Sequence, residues 1–195
     1  MIHPCTKSVM RTVTALKTAQ FSGLARQKVP LVPGAFFLWD EAGGSAQIET
    51  ASEPGLALRA KVAVSSTPSW ITLQLQMGPG RFVPGDVIGL IHDLSFDAEV
   101  NCALAIQSRR GKEYLETEFQ EPLWSGPKRD IRVAMHTVSE VDGLPHTEEF
   151  HTLIIRLPVQ DFGFELYNLR FFFLPASKGL KTGHPTLANI TSRGP

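Results

Sequence analysis

The chain has 195 residues, 43% of them hydrophobic, which suits one domain with a substantial buried core and appended ends. Nineteen basic residues balance nineteen acidic ones, which excludes a polyanion binder acting through overall charge. Two distant cysteines, Cys5 and Cys102, form no CxxC motif and are expected as thiols.

The neutral balance conceals an asymmetry. No acidic residue precedes Asp40, whereas Lys7, Arg11, Lys17, Arg26 and Lys28 all do. Residues 1–28 read as a basic N-terminal arm with helical potential, since Val9, Val13, Leu16, Gln20 and Leu24 fall near one face. The arm has the composition of an organelle-targeting or membrane-surface segment but no continuous apolar stretch of a secretory signal. It is expected to be mobile or loosely docked, with the folded domain starting near Val29.

From Val29 the chain breaks into strand-sized pieces. Residues 35–39 (AFFLW) are apolar and followed by a Gly-rich turn, and Trp39 is expected in the core. Residues 56–64 and 70–77 alternate. In the latter, Ile71, Leu73, Leu75 and Met77 point one way, and Trp70, Thr72, Gln74 and Gln76 the other. Gly78, Pro79 and Gly80 are expected to end that strand. Residues 87–94, 100–108, 114–119 and 131–138 give further strands, with a long loop at 121–130 around Trp124.

Residues 153–157 and 162–175 form the most apolar pair, the second rich in Phe. The parity of that second run breaks near Asn168, which predicts either burial on both faces or a bulge. Eight to ten such strands, with turn signals between them, predict an all-β fold, a sandwich or barrel. From residue 176 apolar periodicity disappears, and 176–195 is expected to be an extended or disordered tail.

Three features resemble the jelly-roll sandwiches of carbohydrate-binding modules and galactose-binding-like domains. Residues 82–90 (FVPGDVIGL) look like their loop, Pro-Gly-Asp, strand entry. Residues 70–77 and 100–108 look like strands of the two sheets, and 162–174 like the last strand that returns to pair near the first. The resemblance spans roughly residues 35–175. It implies an antiparallel two-sheet β-sandwich of jelly-roll type over residues 29–175 and a carbohydrate or glycoconjugate ligand.

Alternation nominates the ligand residues. Trp70, Gln74 and Gln76 face out if their neighbours are core. Gln107 does so if Cys102, Leu104 and Ile106 are buried, and Arg132 and His136 do so if Val133 and Met135 are buried. With Trp124 these make a set suited to sugars: aromatic faces stack on pyranose C–H groups, while amides and guanidinium groups fork onto hydroxyls.

No catalytic residue stands out. The GxSxG elbow, the P-loop, the dinucleotide fingerprint and RNA-binding signatures are absent, so no nucleic-acid partner is expected. HTEEFH at 146–151 is not a zinc motif, no cofactor is expected, and a structural calcium ion on loop carboxylates is compatible with the fold. No apolar run reaches the ~20 residues of a transmembrane helix, and a cytoplasmic location is the default. Two other readings stand beside the binding module. One is a scaffold that docks on a protein partner or membrane surface through the basic arm. The other is a jelly-roll metal enzyme around His92, His136, His146 and His151, a lyase or cupin-like enzyme.

Overall fold

The computed structural model describes residues 2–144 and 147–177, so His146 and residues 178–195 of the expected tail lie outside the described residues. Helix α1 (Pro4–Ala19) starts where the His3 imidazole accepts the Cys5 amide and Pro4 presets the first turn. It ends at Gln20 in the left-handed conformation, φ 45°. Strands follow: β1 (Ser22–Leu24), β2 (Ala35–Trp39), β3 (Ser45–Glu53), β4 (Leu56–Ser66), β5 (Ile71–Gly80), β6 (Val87–Phe96) and β7 (Val100–Cys102). The second half adds β8 (Leu104–Arg110), β9 (Glu113–Glu118), β10 (Leu123–Ser125), β11 (Asp130–Thr137), β12 (Glu149–Leu157) and β13 (Phe162–Leu174).

These strands build two large antiparallel sheets, an all-β sandwich. One sheet has the order β1-β3-β4-β13-β6-β11, the other β2-β5-β12-β8-β9, and β10 pairs with β7 in a small third sheet. The core lies between the large sheets. Phe37, Leu73, Leu75, Leu153 and Ile106 fill it from the five-stranded sheet, and Leu58, Leu90, Phe164 and Phe171 from the six-stranded one. Period-2 alternation explains the choice, because each is flanked along its strand by an outward neighbour.

β13 pairs with β4 through Phe162–Leu166 and with β6 along nearly its whole length, with a bulge between Leu166 and Asn168. The extra residue there switches which parity faces inward, from Phe164 and Leu166 to Leu169 and Phe171. The last strand therefore lies in the middle of its sheet. The Pro84-Gly85-Asp86 entry is tied to that strand's end, since the buried Asp86 carboxylate accepts the amides of Val83 and Ala176, each at 2.8 Å.

The N-terminal arm differs from the loosely docked segment expected. Cys5, Val9, Val13 and Leu16 are buried in the same core as the strands. The reason lies in the registers. β2 pairs with β5 only over Ile71–Leu75, and β4 pairs with β13 only as far as Leu166. The helix packs where β5 and β13 have lost those neighbours, covering edges that would otherwise be open. Close approach is needed there. A Cβ on Gly80 would lie 2.4 Å from Cys5 Sγ and 2.9 Å from His3 Cε1. Gly80→Ala is therefore expected to lower unfolding free energy by about 1–3 kcal/mol in a urea titration. An unchanged midpoint would mean that the helix does not press on this strand.

Other differences are local. Residues 100–108 divide into β7 and β8, which join different sheets, and Gly78–Gly80 continue β5 past a bulge instead of ending it. The loop at 121–130 contains β10, and β1 and β3 are strands that alternation did not bring out.

Candidate functional site

The outer face of the five-stranded sheet gathers polar side chains by register. On β5, Ile71, Leu73, Leu75 and Met77 are buried, and Thr72, Gln74 and Gln76 take the outward parity. Gln76 lies opposite Thr152, and Thr152 opposite Gln107, which in turn lies opposite Glu116. One row nearer the sheet's other end, Phe36, Gln74, Ile154, Ala105 and Glu118 are neighbours in that order. The row beyond the glutamines brings Phe150 beside Arg109 and Arg109 beside Tyr114.

This face thus has amides on β5 and β8 flanking the central β12, a buried apolar step at Ile154 and Ala105, and aromatic rings at its margins. Tyr114 is 62% exposed and Phe150 41%. Gln74 Nε2 donates to Thr72 Oγ1 at 3.2 Å, which orients the amide along the sheet. The guanidinium of Arg156, from β12, reaches across to Glu116 and stands 3.9 Å from Glu118. Two of the three carboxylates of β9, Glu116 and Glu118, are therefore held by one cation. Trp70 stands one residue before β5 on the outward parity, partly exposed, its carbonyl accepting the Asp40 amide.

The remaining expected ligand residues lie elsewhere. Trp124, on β10, and Arg132, on β11, line a separate cleft of about 380 Å³ with Glu99 and Lys128. Arg129 walls this cleft, making two 2.7 Å bonds to Asp93 while its guanidinium lies 3.8 Å from the Tyr167 ring centre. The Arg129 guanidinium holds the Asp93 carboxyl below the usual carboxylate range.

His136 is a correction. It was expected to face solvent with Val133 and Met135 buried, yet His136 is buried while those two are 50% and 43% exposed. On β11 it is Ala134 and His136 that face the core. The imidazole stacks on Phe119 and its Nε2–H donates to Asp142 at 2.8 Å. Burial alone would raise the Asp142 pKa. The bonds donated by Ser139 and His136 outweigh it and hold the carboxyl low. His136 is thus occupied in fastening the loop after β11.

The other histidines do not converge with it. His92 is buried on β6, opposite Arg132. His151, buried on β12, accepts the Ser108 hydroxyl at Nδ1 (2.8 Å) and donates from Nε2 to the Gly80 carbonyl (3.0 Å). A carbonyl only accepts, so this contact fixes the tautomer and makes the pair a structural tie. Among the described residues no three of His, Cys, Asp and Glu are grouped to hold a metal ion. No helix among them is long and apolar enough to cross a membrane.

A carbohydrate-binding module (CBM4) superposes with a TM-score of 0.54 at 11% identity, covering 82% of this chain and 99% of its own. The chain shares the jelly-roll fold of carbohydrate-binding modules. The N-terminal cellulose-binding domain of Cellulomonas fimi β-1,4-glucanase C matches at a TM-score of 0.49 and 11% identity, over 73% of this chain and 88% of that one. A Stig cyclase from Fischerella sp. TAU matches at 0.48 and 11%, over 90% and 98%. No protein-family model matches the chain, and no curated protein matches it by sequence. At such identities the likeness concerns the fold, which hosts many activities.

Sequence reasoning identified Gln74, Gln76 and Gln107 on this face but passed over Phe150, Tyr114, Thr152 and Arg156. The signal for three of them was present: Thr152 and Arg156 are the polar positions on the parity opposite Leu153, Ile155 and Leu157, and Phe150 shares the parity of Thr152 and Arg156.

Proposed function

We propose that the chain is a non-catalytic binding module that takes a carbohydrate or glycoconjugate on the outer face of its five-stranded sheet. The observation that carries this is the row Gln76, Thr152, Gln107 and Glu116, formed by three successive strand pairings and bounded by Tyr114 and Phe150. Primary amides, a hydroxyl and a carboxylate at cross-strand spacing match the alternating donors and acceptors of sugar hydroxyls. Exposed rings at the margin supply the apolar faces on which a pyranose stacks. Trp70 extends this surface at one end of β5. Engagement of Glu116 and Glu118 by Arg156 favours recognition over acid–base chemistry, which needs a carboxyl free to exchange its proton. Trp124 and Arg132 belong to a separate cleft and are assigned no part in this face.

Screening the full chain on a glycan array, followed by affinity measurement on the hit, tests the reading. Gln74→Ala combined with Gln107→Ala is expected to weaken binding about tenfold or more, two hydrogen bonds being worth roughly 1 kcal/mol each. Tyr114→Ala is expected to weaken it by several-fold, and Trp124→Ala to leave it unchanged. Absence of any glycan ligand would overturn the assignment, as would binding that depends on Trp124 and ignores the glutamines.

A further inference from the structure

The opposite side of the sandwich carries a different surface. The outward face of the six-stranded sheet is charged where β4 and β13 pair, with Arg59 bonded to both Glu53 and Glu165. Where β13, β6 and β11 pair, it becomes apolar. Ile131 is 66% exposed, and Val133 and Met135 follow on the same outward parity of this edge strand. Val133 lies opposite Ile91 of β6, and Gly89, opposite Met135, lies beneath the Phe172 ring. Met10 of α1 borders the same surface, sharing a depression with Ile91 and Phe172, and Leu174 is exposed at its end. A single sheet face in water normally shows polar residues outward, so this is the reverse of the expected pattern.

Cations rim this patch. Arg170 stands between Ile91 and the helix, Lys17 donates to the neutral Asn168, and Lys7 and Arg11 lie with Met10 and Ile2 on the exposed side of α1. None of these four forms an ion pair with a described residue, unlike Arg59, Arg129, Arg132 and Arg156. The Asp93 carboxylate on the same face is neutralised by Arg129, and Glu121 is turned onto the Met135 amide.

We propose that this face docks on an anionic lipid bilayer, with Ile131, Val133 and Met135 entering the headgroup boundary and Lys7, Arg11 and Arg170 meeting the lipid phosphates and carboxylates. Charge selects among occupants. A second copy would bring the same cations against one another, whereas an anionic surface complements them. The side chains also fit lipid better than a protein partner. Protruding aliphatic residues with peripheral lysine and arginine are the pattern of interfacial membrane binding, while protein hot spots centre on Trp, Tyr and Arg seated in pockets. The site is independent of the sugar face, which belongs to the other sheet.

Co-sedimentation of the full chain with phosphatidylcholine vesicles, with and without phosphatidylserine, tests this. Binding is expected only with phosphatidylserine and is expected to fall as salt rises. Lys7→Glu with Arg11→Glu should lower the partition at least about tenfold. Ile131→Ser with Val133→Ser should do likewise. These positions are outward, so a circular dichroism melt checks that fold is retained, and the charge-reversed chain carries the test should the serine variant unfold. No binding to anionic vesicles overturns the proposal. So does binding that neither pair of substitutions alters, or light scattering that shows a dimer through this face in a chain indifferent to lipid.

Discussion

A chain lacking residues 2–20 is expected to lose its cooperative urea transition. Helix α1 places Val9, Val13 and Leu16 in the common core, and burying such side chains is worth about 1.5–3 kcal/mol each. Their sum approaches the whole stability of an ordinary domain, about 5–15 kcal/mol. Deletion also uncovers the edges of β5 and β13 that the helix shields, adding unpaired backbone groups to the loss of apolar contacts. The same argument scales down to one residue. Leu16→Ala should cost about 2–5 kcal/mol, because the fully buried side chain leaves a cavity bounded by strands that cannot collapse into it. A cost below about 1 kcal/mol would show instead that the helix rests loosely on a sandwich stable without it.

Acid should destabilise the fold from slightly acidic pH downward, well before most carboxylates titrate. His92 is buried facing the core, and burial, helped by the nearby Arg132 charge, pushes its pKa down to about 4. His151 is lowered mainly by burial, with the His3 charge adding to it, and His3 is lowered by burial. In each case the unfolded chain takes up a proton at an ordinary value near 6.5 while the folded chain refuses it. Stability is therefore full above that value and declines as pH falls, for His92 until about pH 4 by up to about 1.4 kcal/mol per pH unit, with His151 and His3 acting in the same direction. Urea midpoints between about pH 7 and about pH 4.5 should drop, and His92→Leu should make the slope shallower. A flat profile, or an unchanged slope in that variant, would remove buried imidazole as the cause.

Much of the architecture could be read from alternation. Ile71 to Met77 and Leu153 to Leu157 show which residues are core, and the parity break near Asn168 marks the bulge. What alternation cannot supply is strand order, so it could not separate Gln74 and Gln107, which share a face, from Arg132 and Trp124, which do not. It misled outright on β11. There the apolar positions Ile131, Val133 and Met135 face outward, and the inward places go to Ala134 and to a histidine that satisfies its polarity with Asp142. β3 escaped notice because Ser45–Glu53 has few β-branched or aromatic residues. Its inward positions are Ile48, Thr50 and Ser52, and two of these are small and polar. The sequence showed helical potential over residues 1–28, but Gln20 and Leu24, counted on the helix face, lie past its end at Ala19. Its depth of burial depends on vacancies along β5 and β13 that only pairing registers reveal.

The central place of β13 bears on how the molecule is made. The strand nearest the end of the described chain lies between β4 and β6 and beneath the helix formed by its opening residues. During synthesis α1, β4 and β6 emerge early and lack the element that joins them. Their apolar faces stay open until Phe162–Leu174 has left the ribosome. Such long-range closure slows folding and lengthens the period in which nascent strands can pair wrongly. A chain stopped before Phe162 would therefore present chaperones with two unjoined half-sheets and an unseated helix.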